Sequence, residues 1–233
     1  MAHEKDPRWT AVDEYVNANL LADAKLNGAL EEALKRTRAQ RLPDIAVSAA
    51  QGKFLQLQCK LIGARNVLEV GTLGGYSSIF LAATSPEIRV VTVEVNEHHA
   101  AVARENIAAA GYADRVEVIV GAGRDVLPEL LANVNAGKRE KFDFVFIDAD
   151  KPNNWFYFDT AVKMCRPRAQ IIVDNVIRGG RLANPEAFED PSVAGSREVI
   201  EKVGRDPRVD AVALQTVGEK SYDGMLITVV KDT

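Results

Sequence analysis

The sequence predicts an α/β fold with a mostly parallel sheet, and two observations carry that prediction. From about residue 64 onward, short apolar runs typical of strands alternate with amphipathic segments typical of helices. The runs at 67–70, 90–95 and 142–147 are almost continuously apolar, as expected for strands covered on both faces. With 233 residues, 47% of them apolar, the chain is long enough to bury one sizeable core.

The segment before this alternation is predicted to be helical. Within residues 9–40, apolar side chains recur at a spacing of three or four, namely Val12, Tyr15, Val16, Leu20, Leu26, Leu30 and Leu34. Ser48 is placed to cap a further helix that ends at Gly63. We therefore expect an N-terminal helical extension over residues 1–63, packed on a core of residues 64–233, with the chain forming a single domain overall.

The core elements follow in alternation. Its predicted strands are 66–71, 89–95, 115–120, 142–147, 169–174, 208–216 and 223–231. Its predicted helices are 75–84, 97–110, 124–133, 152–165 and 192–204. The expected architecture is Rossmann-like: a doubly wound, mostly parallel seven-stranded sheet with helices on both faces, preceded by the helical extension.

Composition excludes several classes of partner and site. The net charge of −4 and the isoelectric point near 5.5 argue against a nucleic-acid partner. The sequence has no run of 18 apolar residues and no secretory signal pattern, so we expect a soluble, cytoplasmic protein without a membrane partner. Two cysteines, Cys59 and Cys165, and three histidines give no support to a disulfide framework or to a thiolate or histidine metal site.

A glycine-rich turn follows the first predicted strand. Gly71, Gly74 and Gly75 lie between that strand and a helix, as in sites for nucleotide-type ligands. Their spacing is G-x-x-G-G and not the dinucleotide G-x-G-x-x-G, so the turn alone leaves the ligand open. Glu94 ends the second strand, where a carboxylate can accept the hydroxyl hydrogens of a ribose. These features fit any adenosine-containing ligand.

Acidic and amide side chains follow two later strands. Asp148, Asp150 and Lys151 come directly after strand 142–147, and Asp174-Asn175 follow the next strand. Adjacent parallel strands lie about 4.8 Å apart, so these side chains can converge. Two carboxylates and an amide oxygen suit Mg²⁺, Mn²⁺ or Ca²⁺ better than zinc. Judged on the residues alone, loop capping by the two aspartates is the open alternative.

Four sequence blocks taken together resemble a known family. In order and spacing, Glu69–Ser77, Val93–Asn96, Phe142–Lys151 and Asp174-Asn175 are similar to the cation-dependent class I O-methyltransferases, the group that contains caffeoyl-CoA and catechol O-methyltransferases. The resemblance covers most of residues 45–233.

The resemblance implies a methyl donor, a metal and a role for each matching residue. S-adenosylmethionine would be bound at its methionine half by Glu69, Gly71 and Ser77, and at its ribose by Glu94. Ala122 would lie at the adenine rim, and Asp150 near the sulfonium and amino group. Val47 would close the cofactor pocket, and Asp148 would also border the cofactor. A divalent cation, foremost Mg²⁺ with Mn²⁺ or Ca²⁺ as alternatives, would be held by Asp148, Asp174 and Asn175. Lys151, together with Asp148, would be catalytic, acting as a base or as a charge that stabilises a phenolate; the sequence leaves both roles open.

The predicted function is methyl transfer from S-adenosylmethionine to a vicinal dihydroxy aromatic, catechol-like or of the hydroxycinnamoyl or flavonoid type, with a divalent cation. By analogy with the family we expect a homodimer. An NAD-dependent oxidoreductase is the first alternative; it would use Glu94 but leaves Asp148 and Asp174 unexplained. A non-catalytic cofactor-binding protein of the same fold is the second.

Overall fold

The computed structural model describes residues 6–21 and 23–232. Its α-helices are α1 (Pro7–Leu20), α2 (Ala24–Ala39), α3 (Ala49–Leu61), α4 (Tyr76–Ala82), α5 (Glu97–Ala109), α6 (Gly123–Asn135), α7 (Asn154–Met164) and α8 (Pro191–Val203). Its strands are β1 (Asn66–Val70), β2 (Arg89–Glu94), β3 (Val116–Val120), β4 (Phe142–Ile147), β5 (Cys165–Val173), β6 (Val209–Thr216) and β7 (Asp223–Val230). Single 3₁₀ turns lie at Lys151–Asn153, Arg181–Ala183 and Pro185–Ala187.

The predicted fold class is confirmed: the seven strands form a mostly parallel α/β sheet of Rossmann-like type. The chain divides into two compact units. The first unit is residues 14–126, and the second comprises the described residues before 14 and after 126. The predicted division at residue 63 stays a prediction.

The first unit contains three parallel strands in the order β3-β2-β1. The register pairs Val70 with Val93 and Glu94 with Val120, so the strands end close together at one edge. Apolar side chains without solvent exposure fill its core, including Leu55, Val67, Leu68, Ile79 and Leu81. Their burial is what packs α3 against α4 and α4 against β2.

The second unit contains four strands in the order β4-β5-β7-β6. β4 and β5 are parallel, while β7 is antiparallel to both β5 and β6. Phenylalanine rings dominate the core, with Phe142, Phe144, Phe146 and Phe158 all fully buried. Strand β6 lies at the edge and is largely exposed, as expected for a strand with a neighbour on one side only.

The N-terminal helical segment differs from its prediction in one respect. The single helical stretch expected over residues 9–40 is divided into α1 and α2. The cause is local, because the Asp23 carboxylate accepts a hydrogen bond from the Leu26 amide at 3.0 Å and begins a new helix. Apolar periodicity continues through this point and therefore does not mark it.

Within residues 6–21 and 23–232, every helix is too short or too polar to traverse a lipid bilayer.

Candidate active site

The glycine-rich turn between β1 and α4 has a left-handed backbone at three positions. The φ angles are 103° at Gly71, 50° at Leu73 and 78° at Gly75. Glycine adopts such angles without steric cost, whereas a leucine at 50° is uncommon and marks a constrained turn. The Gly75 amide donates to the Thr72 carbonyl at 2.8 Å, which closes the turn before α4 begins. The backbone is thus bent sharply at the end of β1, as the sequence predicts.

Glu94 braces this turn from the end of β2. Its Oε2 accepts the amides of Leu73 at 2.8 Å and Thr72 at 3.3 Å, and its Oε1 accepts the Asn96 amide at 3.0 Å. The residue is buried. A carboxylate offers about four lone-pair positions, so three backbone donors leave capacity for a ligand hydroxyl. The predicted ribose residue therefore also fixes the conformation of the predicted methionine-binding turn.

Glu69 lies in the interior behind the turn. Its exposed fraction is 0%, and Oε2 accepts hydrogen bonds from the Ser78 hydroxyl and from the Thr92 hydroxyl at 2.6 Å. The Thr92 hydroxyl is also 2.6 Å from that of Thr72. This chain of hydroxyl contacts links β1, β2, the turn and α4. Ser77, the neighbouring predicted residue, is buried in the first turn of α4.

The remaining predicted cofactor residues of the first unit lie at loop positions. Val47 is buried just before α3, which Ser48 and Gln51 begin with reciprocal side-chain to backbone hydrogen bonds. Ala122 follows β3, and its carbonyl accepts the amide of Val126 at 3.0 Å at the start of α6. The preceding Gly121 donates its amide to the Glu94 carbonyl at 2.9 Å, so this loop is attached to the end of β2.

In the second unit, the predicted metal ligands follow directly paired residues. Ile147 of β4 pairs with Val173 of β5, so Asp148 and Asp174 are the next residue of each strand. The Asp174 amide donates to the Ile147 carbonyl at 2.9 Å, which keeps the two chain segments together past the end of the sheet. The sequence-based expectation that these two strand ends adjoin thus matches the register.

Lys151 is the cation of this cluster. Its Nζ lies 2.8 Å from Asp148 Oδ1, and the residue is buried although it carries a long charged side chain. A close approach by α8 holds its backbone, because a Cβ at Gly195 would overlap the Lys151 carbonyl group. The ammonium is therefore fixed beside the Asp148 carboxylate.

Asp174 is the most perturbed acid of the cluster. Only 2% of it is exposed. Burial, followed by repulsion from Asp148, raises its pKa to about 7, against the opposing effect of Lys151. Lys151 alone does not keep the pKa of this buried carboxylate in its ordinary range. A further cation would therefore stabilise the ionised form. The residues at this strand end fit a hard divalent ion.

Asn175 and Asp150 complete the predicted set. Asn175 has a φ of 56° and donates its amide to Asp174 Oδ1 at 2.8 Å. Asp150 accepts hydrogen bonds from the Asn153 side-chain amide, in the 3₁₀ turn that precedes α7, and from the Tyr157 hydroxyl in the first turn of α7. In the described part of the chain, no group of three or more His, Cys, Asp and Glu side chains forms a metal site. The proposed ligands comprise only two acids, with an amide as the third.

Sequence reasoning missed several polar residues that position the site. Thr72, Ser78 and Thr92 form the buried hydroxyl contacts around Glu69. Thr92 had a visible signal, since it interrupts an otherwise apolar strand interior. Asp223 accepts the amides of Ile177, Arg178 and Gly224, which fixes the loop after β5. That contact joins residues about 46 positions apart and has no local sequence signal.

Comparison with known proteins identifies close relatives. Residues 22–229 match the family model described as O-methyltransferase. The chain is 52% identical to an O-methyltransferase of Aspergillus flavus over 98% of its length and 94% of that protein. It is 45% identical to a catechol O-methyltransferase of Mycobacterium tuberculosis, over 99% of this chain and all of that one. The solved structure of an O-methyltransferase from Bacillus cereus in complex with SAH superposes with a TM-score of 0.90 at 49% identity, covering 96% of this chain and 99% of that chain.

The raised pKa of Asp174 predicts that the stability of the protein depends on pH. In chelator, we expect Asp174→Asn to raise the free energy of unfolding at pH 8 by on the order of 1–3 kcal/mol. The folded pKa of about 7 lies above the ordinary value of 3.8, so wild-type stability falls as pH rises between those values. Asparagine has no such proton to lose. Urea unfolding at pH 5.5 and pH 8 is the measurement. The difference in free energy of unfolding between the variant and wild type should be larger at pH 8.

The matched control is Asp114→Asn, whose side chain is 78% exposed and which should change stability little at either pH. A variant at position 174 that is less stable than wild type at pH 8 would contradict the idea that the ionised Asp174 carboxylate destabilises the fold.

Proposed function

The chain belongs to the O-methyltransferase family, and on that premise we propose that it methylates one of two adjacent hydroxyl oxygens of an aromatic acceptor with the help of a divalent cation. It is an S-adenosylmethionine-dependent enzyme. The observation that carries the cation proposal is the buried Asp174 carboxylate beside Asp148, with a pKa raised to about 7.

Asp148, Asp174 and Asn175 are the proposed ligands of the cation. Two carboxylates and an amide carbonyl provide oxygen donors, which Mg²⁺, Mn²⁺ and Ca²⁺ prefer. When bound, a divalent cation supplies positive charge that lowers the pKa of a coordinated hydroxyl and orients two adjacent oxygens. Asp148 contributes in a second way, because its negative charge keeps the Lys151 ammonium in place.

The acceptor is proposed to be a vicinal dihydroxy aromatic. A relative 45% identical over 99% of this chain is named a catechol O-methyltransferase. A phenol has a pKa near 10, about that of tyrosine, and is a weak nucleophile at neutral pH until it loses its proton. Two adjacent oxygens can share one cation, whereas an isolated phenol offers a single donor. This pairing is our reason to prefer catechol-like acceptors.

We propose that Lys151 assists the loss of the acceptor's hydroxyl proton. Its Nζ is buried within hydrogen-bond distance of Asp148, in a position to interact with a hydroxyl brought to the same carboxylate. A neutral lysine would accept the hydroxyl proton, and a charged one would stabilise the phenolate. A Lys151→Arg variant separates these roles, because guanidinium keeps the charge but does not act as a base.

The proposed cofactor contacts use groups that the fold already orients. S-adenosylmethionine, when bound, supplies an electrophilic methyl carbon on its sulfonium. Glu94 retains acceptor capacity for ribose hydroxyls while it holds the turn at Thr72 and Leu73. Asp150 would attract the positively charged amino acid portion. We propose that Val47, Gly71, Ser77 and Ala122 line the remainder of the cofactor pocket. Glu69 is proposed to support the methionine half from the interior behind the turn.

A homodimer is proposed as the assembly. In α1, the side chains of Val12, Tyr15 and Leu20 are 60%, 74% and 70% exposed. Apolar side chains clustered on one exposed helix are typical of a surface that a partner covers. The predicted cytoplasmic location stays a prediction.

The two alternative functions receive less support. An NAD-dependent oxidoreductase has no need of the Asp148, Asp174 and Lys151 cluster, and the family match favours methyl transfer. A non-catalytic protein of the same fold would have no reason to retain a buried lysine paired with an aspartate, since burying charges destabilises a fold unless they are well compensated.

Removal of either acidic ligand is expected to abolish turnover and spare cofactor binding. We expect Asp148→Ala and Asp174→Ala to lower kcat at least about 100-fold, with the dissociation constant for S-adenosylhomocysteine changed less than about threefold. Labelled methyl transfer to a panel of catechols, flavonoids and hydroxycinnamoyl esters, with and without EDTA, measures the first quantity, and calorimetry measures the second. Asp210→Ala, at an exposed position, is the control. Full wild-type activity in EDTA would refute the cation.

Loss of Lys151 is expected to act on the chemical step. We expect Lys151→Ala to lower kcat by about 100-fold or more, the range of general acid–base contributions, with S-adenosylhomocysteine affinity unchanged. Lys163→Ala on α7 removes an exposed lysine that also pairs with an aspartate, and it should behave as wild type. An unaltered kcat in Lys151→Ala would exclude this lysine from the mechanism.

The assembly is tested by light scattering. At micromolar concentration we expect twice the chain mass of 25.4 kDa, and we expect Tyr15→Glu to shift the mass toward the monomer, because burying a new carboxylate opposes association. A wild-type protein that elutes only as monomer would contradict the proposal.

A further inference from the structure

We propose that Asn106, a buried residue of α5, is a positioning residue for the cofactor: it holds the Gly74 carbonyl and so fixes the glycine-rich turn against α2. The inference rests on the proposed function to the extent that this turn binds S-adenosylmethionine. Asn106 was not among the residues that the sequence motifs identified, and it lies beneath the turn with 1% of its surface exposed.

The Asn106 side chain connects three segments of the first unit. Its Nδ2 donates to the Gly74 carbonyl at 2.8 Å and lies 3.3 Å from both the Ala33 carbonyl and the Thr37 hydroxyl. Its Oδ1 accepts a hydrogen bond from Arg36 Nη1. Helix α2 supplies three of these partners and the turn supplies the fourth.

The chemistry of the partners sets the orientation of the amide. Arginine only donates hydrogen bonds, so the atom facing Arg36 must be the oxygen. The two carbonyl groups only accept, so the atom facing them must be the nitrogen. An amide group has two N–H donors for three acceptors, and the shortest of those contacts goes to Gly74. The Gly74 carbonyl is therefore the best satisfied partner of this side chain.

Helix α2 also limits the position of Gly74 by contact. A Cβ at residue 74 would overlap the hydroxyl of Thr37, which is itself buried. The turn therefore packs on α2 more closely than any side chain at position 74 allows. Glycine is required here for space.

The turn is thus held from two sides. Glu94 accepts the amides of Thr72 and Leu73, and Asn106 donates to the carbonyl of the next residue, Gly74. Leu73, between the two attachments, has the uncommon φ of 50°. A residue in that region needs its surroundings to hold it. Removing the Asn106 donor would free the Gly74 peptide, so the turn would have to be ordered again on binding, at a cost in affinity.

A role confined to stability predicts a different outcome. If Asn106 only joins α5 to α2, its loss lowers the melting temperature and leaves ligand affinity unchanged in the folded protein. If it positions the turn, affinity for the cofactor falls at temperatures where the protein is fully folded. Binding measured well below the melting temperature distinguishes the two.

The first test compares Asn106→Leu with Val102→Ala, a buried substitution on the same helix. By calorimetry on the full chain at 15 °C, we expect Asn106→Leu to raise the dissociation constant for S-adenosylhomocysteine about five- to tenfold, the size expected for one buried hydrogen bond. Val102→Ala should stay within twofold of wild type. The KM for S-adenosylmethionine should rise in parallel, with kcat at saturating cofactor within about twofold.

The second test changes the contact between the turn and α2, so it remains informative even if Asn106→Leu does not fold. Gly74→Ala should raise the same dissociation constant about tenfold or more through its clash with Thr37. Adding Thr37→Ala removes the hydroxyl and should recover most of that loss. A double variant no better than Gly74→Ala would count against a turn seated on α2.

The outcomes separate this inference from the proposed function. If wild type binds S-adenosylhomocysteine and Asn106→Leu binds it equally well, the positioning role is overturned and the methyltransferase proposal stands. If wild type fails to bind it, the proposed function is overturned, and the positioning role with it.

Discussion

A carboxylate buried at the carboxyl end of β5 is the constraint on which the chemistry of the second unit depends. Asp174 is almost inaccessible, lies beside Asp148, and has one buried lysine near it. Taking an acid out of water raises its pKa unless positive charge compensates. The strand ends therefore favour the binding of a further cation. Without one, the buried carboxylate lowers the stability of the fold, which is the cost of keeping a binding site there.

The first unit uses a buried acid differently. Glu94 collects backbone amides from the turn at Thr72 and Leu73, and Glu69 collects hydroxyls from Ser78 and Thr92. In both acids, Oε2 accepts its hydrogen bonds from neutral donors. The left-handed turn that β1 leads into is consequently shaped before a ligand arrives. Preorganisation of this kind lowers the entropy that binding must overcome.

The N-terminal helices have a part in this arrangement that composition does not suggest. Helix α2 contacts the turn through Thr37 and, by way of Asn106, holds the Gly74 carbonyl. An extension that precedes the strand and helix alternation is thereby tied to the segment with the clearest ligand-binding motif. The physical reason is that a glycine-rich turn has few side chains of its own with which to pack.

The sequence by itself determined the α/β class, the order of the strands along the chain and the identity of the acids at the strand ends, because periodicity and glycine spacing are local properties. It correctly placed Asp148 and Asp174 after neighbouring strands but put one helix where Asp23 begins a second. Only the tertiary structure decided that Glu94 braces the turn, that Asn106 holds Gly74, and that burial perturbs Asp174. Hydrogen bonds between residues 21 to 32 positions apart and the removal of water from a carboxylate arise only when the chain is folded, so no local pattern records them.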